Sequence, residues 1–375
     1  MPLIGLYRYF PYGGLQKDAL RLIEELLRRG EAVCCLTTSW QGEQPSSPKF
    51  SLRLVKPKGL TNTSRMAAFG REFARLAAER RAAGDVAVAM NRLPGADVYF
   101  AADACMRTTL RQKPCWPLLR LLPRYRAILS QEHAVVANPH TRFLLISERQ
   151  RRDFLGDYPE LSPERLVMLP PGIHPGCAGH VIGAEQRQRL RQSLGVPDGV
   201  PLVVSVGSNW RVKGMDRALD VLLELPCHYV IIGNDTPHAI EKLRRHHRFP
   251  AERFTFTGPR SDIPDLLCAA DLMVHLARSE GAGSVLLEAL ACGLPVVCTE
   301  LCGFSPYVAA VSPSLVLSEP FAVPVARRAI AQALDTLPDL RRAVRSACEG
   351  QDFTRRTTFF ADFLLEQRHS DTHHD

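Results

Sequence analysis

Two stretches of the chain repeat one pattern, in which a buried strand, a turn and an amphipathic helix lead to a second buried strand. The predicted elements are the strands Leu3–Tyr9, Ala32–Thr37, Leu202–Val206 and His228–Ile232, and the helices Leu15–Arg29 and Lys213–Leu225. This order requires a crossover and a parallel sheet. Since 375 residues suffice for two domains with full cores, the sequence predicts an α/β fold with two doubly wound domains. The predicted domains are residues 1–165 and 166–351.

Composition narrows the class of protein. The formal charge of +8 favours anionic partners such as nucleotide phosphates, nucleic acid or an acidic membrane surface, although a basic surface without a function is the alternative. We predict neither a signal peptide nor a transmembrane helix. The eleven cysteines contain no C-x-x-C pair, so we expect them to be small core residues in a reducing cytosol.

The stretch Ser279–Pro295, SEGAGSVLLEALACGLP, predicts an anion site. A buried strand ends at His275, and a turn of small residues then opens a helix. Free N–H groups and the positive end of the helix dipole favour an anion there. Glu280 and Glu288 flank this site, and the pair suits a ligand with both phosphate and hydroxyl groups, such as a sugar nucleotide.

Arg211 and Lys213 follow a predicted strand and the loop that begins at Gly207. A guanidinium and an ammonium at this position neutralise a pyrophosphate leaving group; the alternative is a pair of solvated cations at a helix start. The chain has no D-x-D pair to hold a divalent metal on a diphosphate. We therefore predict metal-free stabilisation of the leaving group and no cofactor.

Gly13 and Gly14 let the backbone approach a ligand after the first strand, with Asp18 in the following helix. A simple tight turn explains the same residues. Asp103 follows the predicted strand Asp97–Ala101, where ligand-facing residues collect in open parallel sheets, but a lone carboxylate is also a helix N-cap.

The segment from Cys105 to Gln131 mixes cations with tryptophan, leucine and tyrosine and contains no acidic residue. This composition is typical of a segment on an anionic bilayer. A solvated helix with buried leucines and a nucleic-acid contact are the alternatives. The predicted membrane-surface residues are Arg107, Arg111, Lys113, Trp116, Arg120, Arg124 and Arg126.

Residues 280–288 resemble the E-x7-E element of retaining GT4 glycosyltransferases, which have two Rossmann-like domains facing across a cleft (the GT-B fold). The loop with Gly207, Arg211 and Lys213 resembles that family's pyrophosphate loop. The motifs YFPYGGLQKD at 9–18, LPGADVYFAAD at 93–103 and LPPGI at 169–173 resemble the lipopolysaccharide core glucosyltransferase I subfamily. Two positions depart from the pattern: Val212 precedes Lys213, and Cys177 replaces an arginine.

The resemblance implies a UDP-glucose donor, with Glu288 on the ribose and Arg211 and Lys213 on the pyrophosphate. It implies that Glu280 holds the glucose together with the turn Gly281, Ala282, Gly283 and Ser284, and that Gly13 and Gly14 lie close to the donor. Asp18 and Asp103 would lie on the acceptor side, and a helix at about 352–368 would pack back on the first domain.

We therefore predict a retaining, metal-independent glucosyltransferase acting on heptose II of the lipopolysaccharide inner core, peripheral on the cytoplasmic face of the inner membrane. The predicted catalytic residues are Asp103, Glu280 and Lys213. Asp103 as a base and Glu280 as a covalent nucleophile remain open alternatives. A GT4 transferase with another donor or lipid-linked acceptor, and a catalytically dead membrane-binding protein on this fold, are the rival functions.

Overall fold

The computed structural model describes residues 1–11, 13–113, 115–246 and 250–370, which form two compact units. The first unit comprises Met1–Pro170 together with the chain from Arg355, and the second comprises Pro171–Thr354. Each unit is built on a parallel sheet with helices, which confirms the predicted fold class.

The first unit contains a seven-stranded sheet in the order β3-β2-β1-β4-β5-β6-β7, with every pair parallel. Its strands are β1 (Leu3–Gly5), β2 (Val33–Thr37), β3 (Phe50–Leu54), β4 (Ala87–Ala89), β5 (Val98–Ala101), β6 (Arg142–Leu145) and β7 (Leu166–Met168). Its helices are α1 (Gly14–Arg28), α2 (Asn62–Ala82), α3 (Met106–Arg111), α4 (Trp116–Leu119), α5 (Pro123–Ala137), α6 (Glu148–Asp157) and α15 (Arg356–Ser370), with a 3₁₀ turn at Pro163–Arg165.

The second unit contains a six-stranded parallel sheet in the order β10-β9-β8-β11-β12-β13. Its strands are β8 (Leu202–Val206), β9 (His228–Ile232), β10 (Phe254–Gly258), β11 (Leu272–His275), β12 (Val296–Thr299) and β13 (Val316–Leu317). Its helices are α7 (Ala184–Ser193), α8 (Met215–Leu222), α9 (Pro237–His246), α10 (Ile263–Ala269), α11 (Ser284–Ala291), α12 (Ser305–Val311), α13 (Val323–Asp335) and α14 (Leu337–Cys348), with 3₁₀ turns at Pro175–Cys177, Ala251–Arg253 and Pro313–Leu315.

The strands are continuous apolar runs because helices cover both faces of a parallel sheet. Strand β9 is buried at all five positions. In the first unit, Phe69 and Phe73 of α2 pack in the same core as Tyr99 and Phe143. Helix α1 packs against α15, and the Phe360 ring lies 5.4 Å from that of Phe100.

Several predicted bounds differ from the structure. The first strand, predicted over Leu3–Tyr9, ends at Gly5. The predicted domain boundary at 165/166 separates β7 from its sheet, whereas β7 pairs with β6 and belongs to the first unit. Helix α8 begins at Met215 because Gly214 adopts a left-handed φ of 71°, so Lys213 lies in the loop before it. The last helix begins at Arg356, a few residues after the predicted start at 352.

Candidate functional site

The strand order brings two of the predicted loops together in the second unit. The order reverses between β8 and β11, so the loops that follow these two strands lie on either side of a crevice at the carboxyl edge of the sheet. Ligands of open α/β sheets bind at this position. One loop carries Arg211 and Lys213, and the other carries Glu280.

The centre of the site is an ion pair between Lys213 and Glu280, whose Oε2 also lies 3.2 Å from Nε2 of His275. An ionised carboxylate only accepts hydrogen bonds, so the imidazole donates here. His275 is buried, while Glu280 and Lys213 are 14% and 24% exposed. Both donors contact Oε2, so within the part of the chain that the structure describes Oε1 accepts no hydrogen bond.

The partners of Glu280 fix its charge. Burial by itself raises its pKa, but the hydrogen bond from His275 and the positive charge of Lys213 outweigh burial and lower the pKa to about 2. Glu280 is therefore a carboxylate at neutral pH and acts as an acceptor, not as a general acid.

Backbone geometry holds Lys213 in place. A Cβ on Gly214 would lie 1.8 Å from the Leu276 carbonyl oxygen, so the loop packs directly against the chain after β11. Lys213 and Val212 both donate their N–H to the Asn209 carbonyl, at 3.1 and 2.9 Å. The loop is a compact turn that directs the ammonium toward Glu280.

Arg278, which the sequence analysis did not identify, connects the two loops. Its guanidinium contacts both oxygens of Asp216, at 2.7 and 2.9 Å, and donates to the Arg211 carbonyl at 2.6 Å. The Arg211 side chain itself is exposed. Among the described residues it has no acidic partner, so its charge is available to a ligand.

The turn before α11 contains backbone donors without an acceptor. Gly283 has φ of 84° and caps the helix without a side-chain hydrogen bond. Among the described residues, the N–H groups of Gly281, Ala282 and Gly283 have no acceptor, while the Ala282 carbonyl accepts from Phe304 at 2.8 Å. Ser284 begins the helix. Anion binding by these amides stays a prediction.

Glu288 lies in the next turns of α11, and its Oε1 accepts the His174 N–H at 3.1 Å. Glu288 lies four residues beyond Ser284, the first residue of α11, which is a rise of about 6 Å along the helix.

In the first unit, the predicted residues after β1 lie at the start of α1. Gly13 caps the helix, and a Cβ on Gly14 would meet nothing within 4 Å, so the backbone is open to a ligand there. Asp18 lies 3.7 Å from Arg356 and 3.8 Å from Arg21. Burial raises the Asp18 pKa, and the two arginines oppose that change. Asp18 therefore ties α1 to α15, a structural contact that the sequence analysis did not predict.

Asp103 is 54% exposed and lies 3.0 Å from Nη1 of Arg92. The same arginine contacts the buried Glu132 at 3.1 Å. Glu132 accepts the backbone N–H groups of Met106 and Arg107, at 2.7 and 3.0 Å. This buried carboxylate anchors the start of α3 and was missed because its partners become neighbours only in the fold.

The basic segment forms α3, α4 and the first part of α5. Arg107 lies over the ring of Tyr158, and Arg111 pairs with Asp157 while 55% of its side chain stays exposed. The predicted cations after Arg111 and three leucines are exposed as well, and Trp116 is half-buried. We call the following residues the basic–leucine surface: Lys113, Leu118, Arg120, Leu121, Leu122, Arg124 and Arg126. None of the helices in the described ranges has the length and hydropathy of a membrane span.

Residues 186–348 match the family model of the glycosyl transferases group 1. The chain is 35% identical over 340 residues to the lipopolysaccharide glucosyltransferase WaaG of Escherichia coli (strain K12), covering 89% of each chain. A D-inositol 3-phosphate glycosyltransferase of Jonesia denitrificans is 30% identical over 161 residues, which is 39% of this chain and 38% of that one.

Comparison with solved structures agrees with these sequence similarities. The crystal structure of WaaG, a glycosyltransferase involved in lipopolysaccharide biosynthesis, has a TM-score of 0.87 at 33% identity, covering 97% of this chain and 99% of that one. Anabaena Alr3699/HepE, in complex with UDP and glucose, has a TM-score of 0.71 at 16% identity over 98% of this chain and 100% of that one, a likeness of fold. Taken with the two Rossmann-like units, these similarities show that the chain belongs to the group 1 glycosyl transferases and is a glycosyltransferase of the GT-B fold.

Proposed function

We propose that this glycosyltransferase moves glucose from UDP-glucose to heptose II of the lipopolysaccharide inner core, with retention of configuration and without a metal. Similarity to an E. coli lipopolysaccharide glucosyltransferase over 89% of the chain supports the substrate class. The observation that carries the proposal is the ionised Glu280, held by Lys213 and His275 beside open backbone amides at the edge of the second sheet.

The second unit binds the donor in this proposal. Glu288 accepts hydrogen bonds from the ribose hydroxyls, and the free Oε1 of Glu280 accepts from a glucose hydroxyl. Arg211 and Lys213 neutralise the pyrophosphate together with the amides of Gly281 to Gly283. Because Glu280 already balances the charge of Lys213, the exposed Arg211 supplies the uncompensated charge that attracts the diphosphate.

The reaction breaks the bond between C1 of glucose and the phosphate oxygen. Positive charge develops on the sugar ring and negative charge on the departing UDP, which the fixed cations and amides stabilise. The acceptor hydroxyl adds to C1 on the face that UDP leaves, and the departing phosphate oxygen takes its proton. Asp103 in the first unit stands as an alternative base, and Glu280 as an alternative nucleophile.

The basic–leucine surface docks on the anionic cytoplasmic face of the inner membrane, where a lipid-anchored acceptor lies. At about 1 kcal/mol for each cation near an anionic surface, the exposed Lys113, Arg120, Arg124 and Arg126 contribute about 4 kcal/mol. This is enough for reversible association, and the exposed leucines add apolar contact.

The proposal is tested by incubating the protein with UDP-glucose and a truncated core lipopolysaccharide that ends at heptose. We expect glucose transfer that persists in EDTA and exceeds transfer from other UDP- and GDP-sugars. Glu280→Ala and Lys213→Ala each lower kcat/KM by about tenfold or more. Transfer only from another sugar nucleotide would refute UDP-glucose as the donor, and transfer only to another molecule would refute heptose II as the acceptor. Transfer only with added metal would refute the metal-free mechanism.

Membrane docking is tested by sedimentation with vesicles of neutral lipid alone or with anionic lipid. We expect binding to anionic vesicles that Arg120→Glu/Arg124→Glu abolishes. The matched control, Arg328→Glu/Arg345→Glu, reverses two exposed arginines of the second unit and retains binding. Equal loss in both variants would show that net charge, not this surface, controls association.

A further inference from the structure

The second unit contains three cysteines from separate elements that lie close together near the end of α11. Cys177 ends a 3₁₀ turn, Cys268 lies in α10, and Cys292 caps the end of α11. The Cys292 thiol lies 3.8 Å from the Cys177 carbonyl oxygen, and the Cys268 thiol lies 4.0 Å from that of Cys292. The Cys268 thiol also donates to the His180 carbonyl at 3.3 Å, and the Cys292 thiol lies 3.9 Å from the carbonyl oxygen of Pro264 in α10.

Exposure separates this pair from the core cysteines. Cys268 and Cys292 are both partly exposed, whereas Cys177 is buried. The neighbouring pair Cys298 and Cys302 is buried as well. A small oxidant in solution therefore reaches the first pair more readily than the second.

The two thiols differ in character. The hydrogen bond from Cys292 lowers the pKa of Cys268 to about 7 against the effect of burial, and the neighbouring His180 lowers it further. The pKa of Cys292 is raised by its hydrogen bonds to Cys177 and Cys268. Cys268 is thus the more acidic thiol of the pair, and the more acidic of two neighbouring thiols reacts first with peroxide.

We propose that Cys268 and Cys292 are a modification site, an oxidisable dithiol that hydrogen peroxide converts to an intramolecular disulfide. The Cys268 thiolate attacks the peroxide oxygen, the O–O bond breaks, and one water leaves after protonation. The Cys292 thiol then attacks the sulfenic sulfur, and the hydroxyl leaves as a second water. Two thiols are oxidised by two electrons, and one hydrogen peroxide is reduced.

The disulfide acts on the donor site through α11. The Cys292 N–H bonds to the Glu288 carbonyl at 3.1 Å, and Cys177 lies three residues after His174, whose N–H holds the Glu288 carboxylate. When the disulfide forms, the Cys292 sulfur moves toward Cys268 and loses its contact with the Cys177 carbonyl. The segment from His174 to Cys177 then shifts, together with the N–H group that holds the Glu288 carboxylate. Weaker UDP-glucose binding follows, a consequence that rests on the proposed function, whereas the oxidation itself does not.

The experiment treats reduced full-length protein with hydrogen peroxide, blocks free thiols with iodoacetamide and maps tryptic peptides by mass spectrometry. Residues 261–278 form a peptide with Cys268 as its single cysteine, whereas 279–327 carries Cys292 with Cys298 and Cys302. We expect a cross-link between these peptides that dithiothreitol reverses. Cys268→Ser and Cys292→Ser abolish it, and the matched control Cys298→Ser retains it.

The exposed Cys115, in the peptide 112–120, serves as an internal gauge of oxidation. If peroxide oxidises Cys115 while Cys268 and Cys292 stay fully alkylated, the dithiol proposal is wrong. A cross-link that survives Cys292→Ser also overturns the assignment. Since Cys115 lies outside the cluster, Cys115→Ser leaves the cross-link unchanged.

Calorimetry with UDP-glucose tests separately whether the disulfide weakens binding of the donor. Oxidised wild-type protein binds about fivefold more weakly than reduced protein, and Cys292→Ser binds equally before and after peroxide. Equal affinities in the oxidised and reduced wild type would refute the coupling to Glu288. Failure of the reduced protein to bind UDP-glucose would instead refute the proposed function, and the cross-link result would stand.

Discussion

Replacing Lys213 with methionine tests the electrostatic centre of the site. The methionine side chain has a similar length and fills the same space without the charge. The fall of the Glu280 pKa from 4.5 to about 2 corresponds to about 3 kcal/mol in favour of the ionised carboxylate. His275 and Lys213 share this stabilisation, so Lys213→Met lowers the unfolding free energy of the second unit by about 1–2 kcal/mol at pH 7.

The pH dependence has a definite sign. The carboxyl pKa is lowered by folding, so its contribution to stability is present above pH 4.5 and is lost as the pH falls toward 2. At pH 3.5 the wild type has lost about 1.4 kcal/mol of the stabilisation that the Glu280 carboxylate provides at pH 7. Because His275 still lowers the Glu280 pKa in Lys213→Met, we expect the difference between the two proteins to persist at pH 4.5 and to shrink as the pH falls to about 2.5.

Tryptophan fluorescence isolates the relevant unit. Trp210 is 3% exposed and its ring stacks 5.5 Å from that of Phe256, beside the Lys213 loop. Replacing Trp40 and Trp116 with phenylalanine leaves Trp210 as the single tryptophan. Urea unfolding in this background reports the second unit at pH 7, 4 and 2.5.

Two controls complete the test. Lys242→Met removes an exposed lysine of the same unit and changes stability by less than about 0.5 kcal/mol. In a double-mutant cycle that combines Lys213→Met with Glu280→Gln, the coupling energy between the two side chains is about 1 kcal/mol or more. A coupling near zero, or an equal cost of Lys213→Met at pH 7 and pH 2.5, would refute the ion-pair reasoning.

Three further outcomes follow from the geometry. Gly214→Ala places a Cβ 1.8 Å from the Leu276 carbonyl oxygen and lowers the unfolding free energy by about 3 kcal/mol or more in urea. The control Gly350→Ala, at the same φ of 71° but in open space, lowers it by about 1 kcal/mol. Equal losses in the two variants would contradict the clash. Glu288→Gln weakens UDP-glucose binding by about tenfold in calorimetry, with unchanged affinity removing Glu288 from the donor site. Asp103→Asn lowers kcat/KM by about tenfold or more with KM for UDP-glucose unchanged, and wild-type turnover would exclude it as a base.

Much of the fold followed from local pattern. Strands β8 and β9 have the predicted bounds and β11 ends at His275 as predicted, because buried parallel strands are short apolar runs between turn residues. Strand β13 was missed, since Val316–Leu317 is two residues long and carries no period. The placement of β7 was wrong because its sheet depends on pairing with β6.

The site was predictable only in its charged residues. Glu280 and Lys213 stand out in motifs, and strand order explains why they meet. His275 looked like the buried end of a strand, and its hydrogen bond to Glu280 depends on the path of the turn between them. Glu132 and Arg278 act through partners that are distant in sequence, so spacing gave no signal for either.

The position of α15 bears on how the chain acquires its structure during synthesis. This helix supplies Phe360, Ala361 and Leu364 to the interior of the first unit, yet the ribosome produces it after the whole second unit. The core of the first unit beside α1 therefore stays incomplete until the whole second unit has been synthesised. An intermediate that lacks α15 leaves this apolar surface uncovered, and such a surface is what a chaperone recognises.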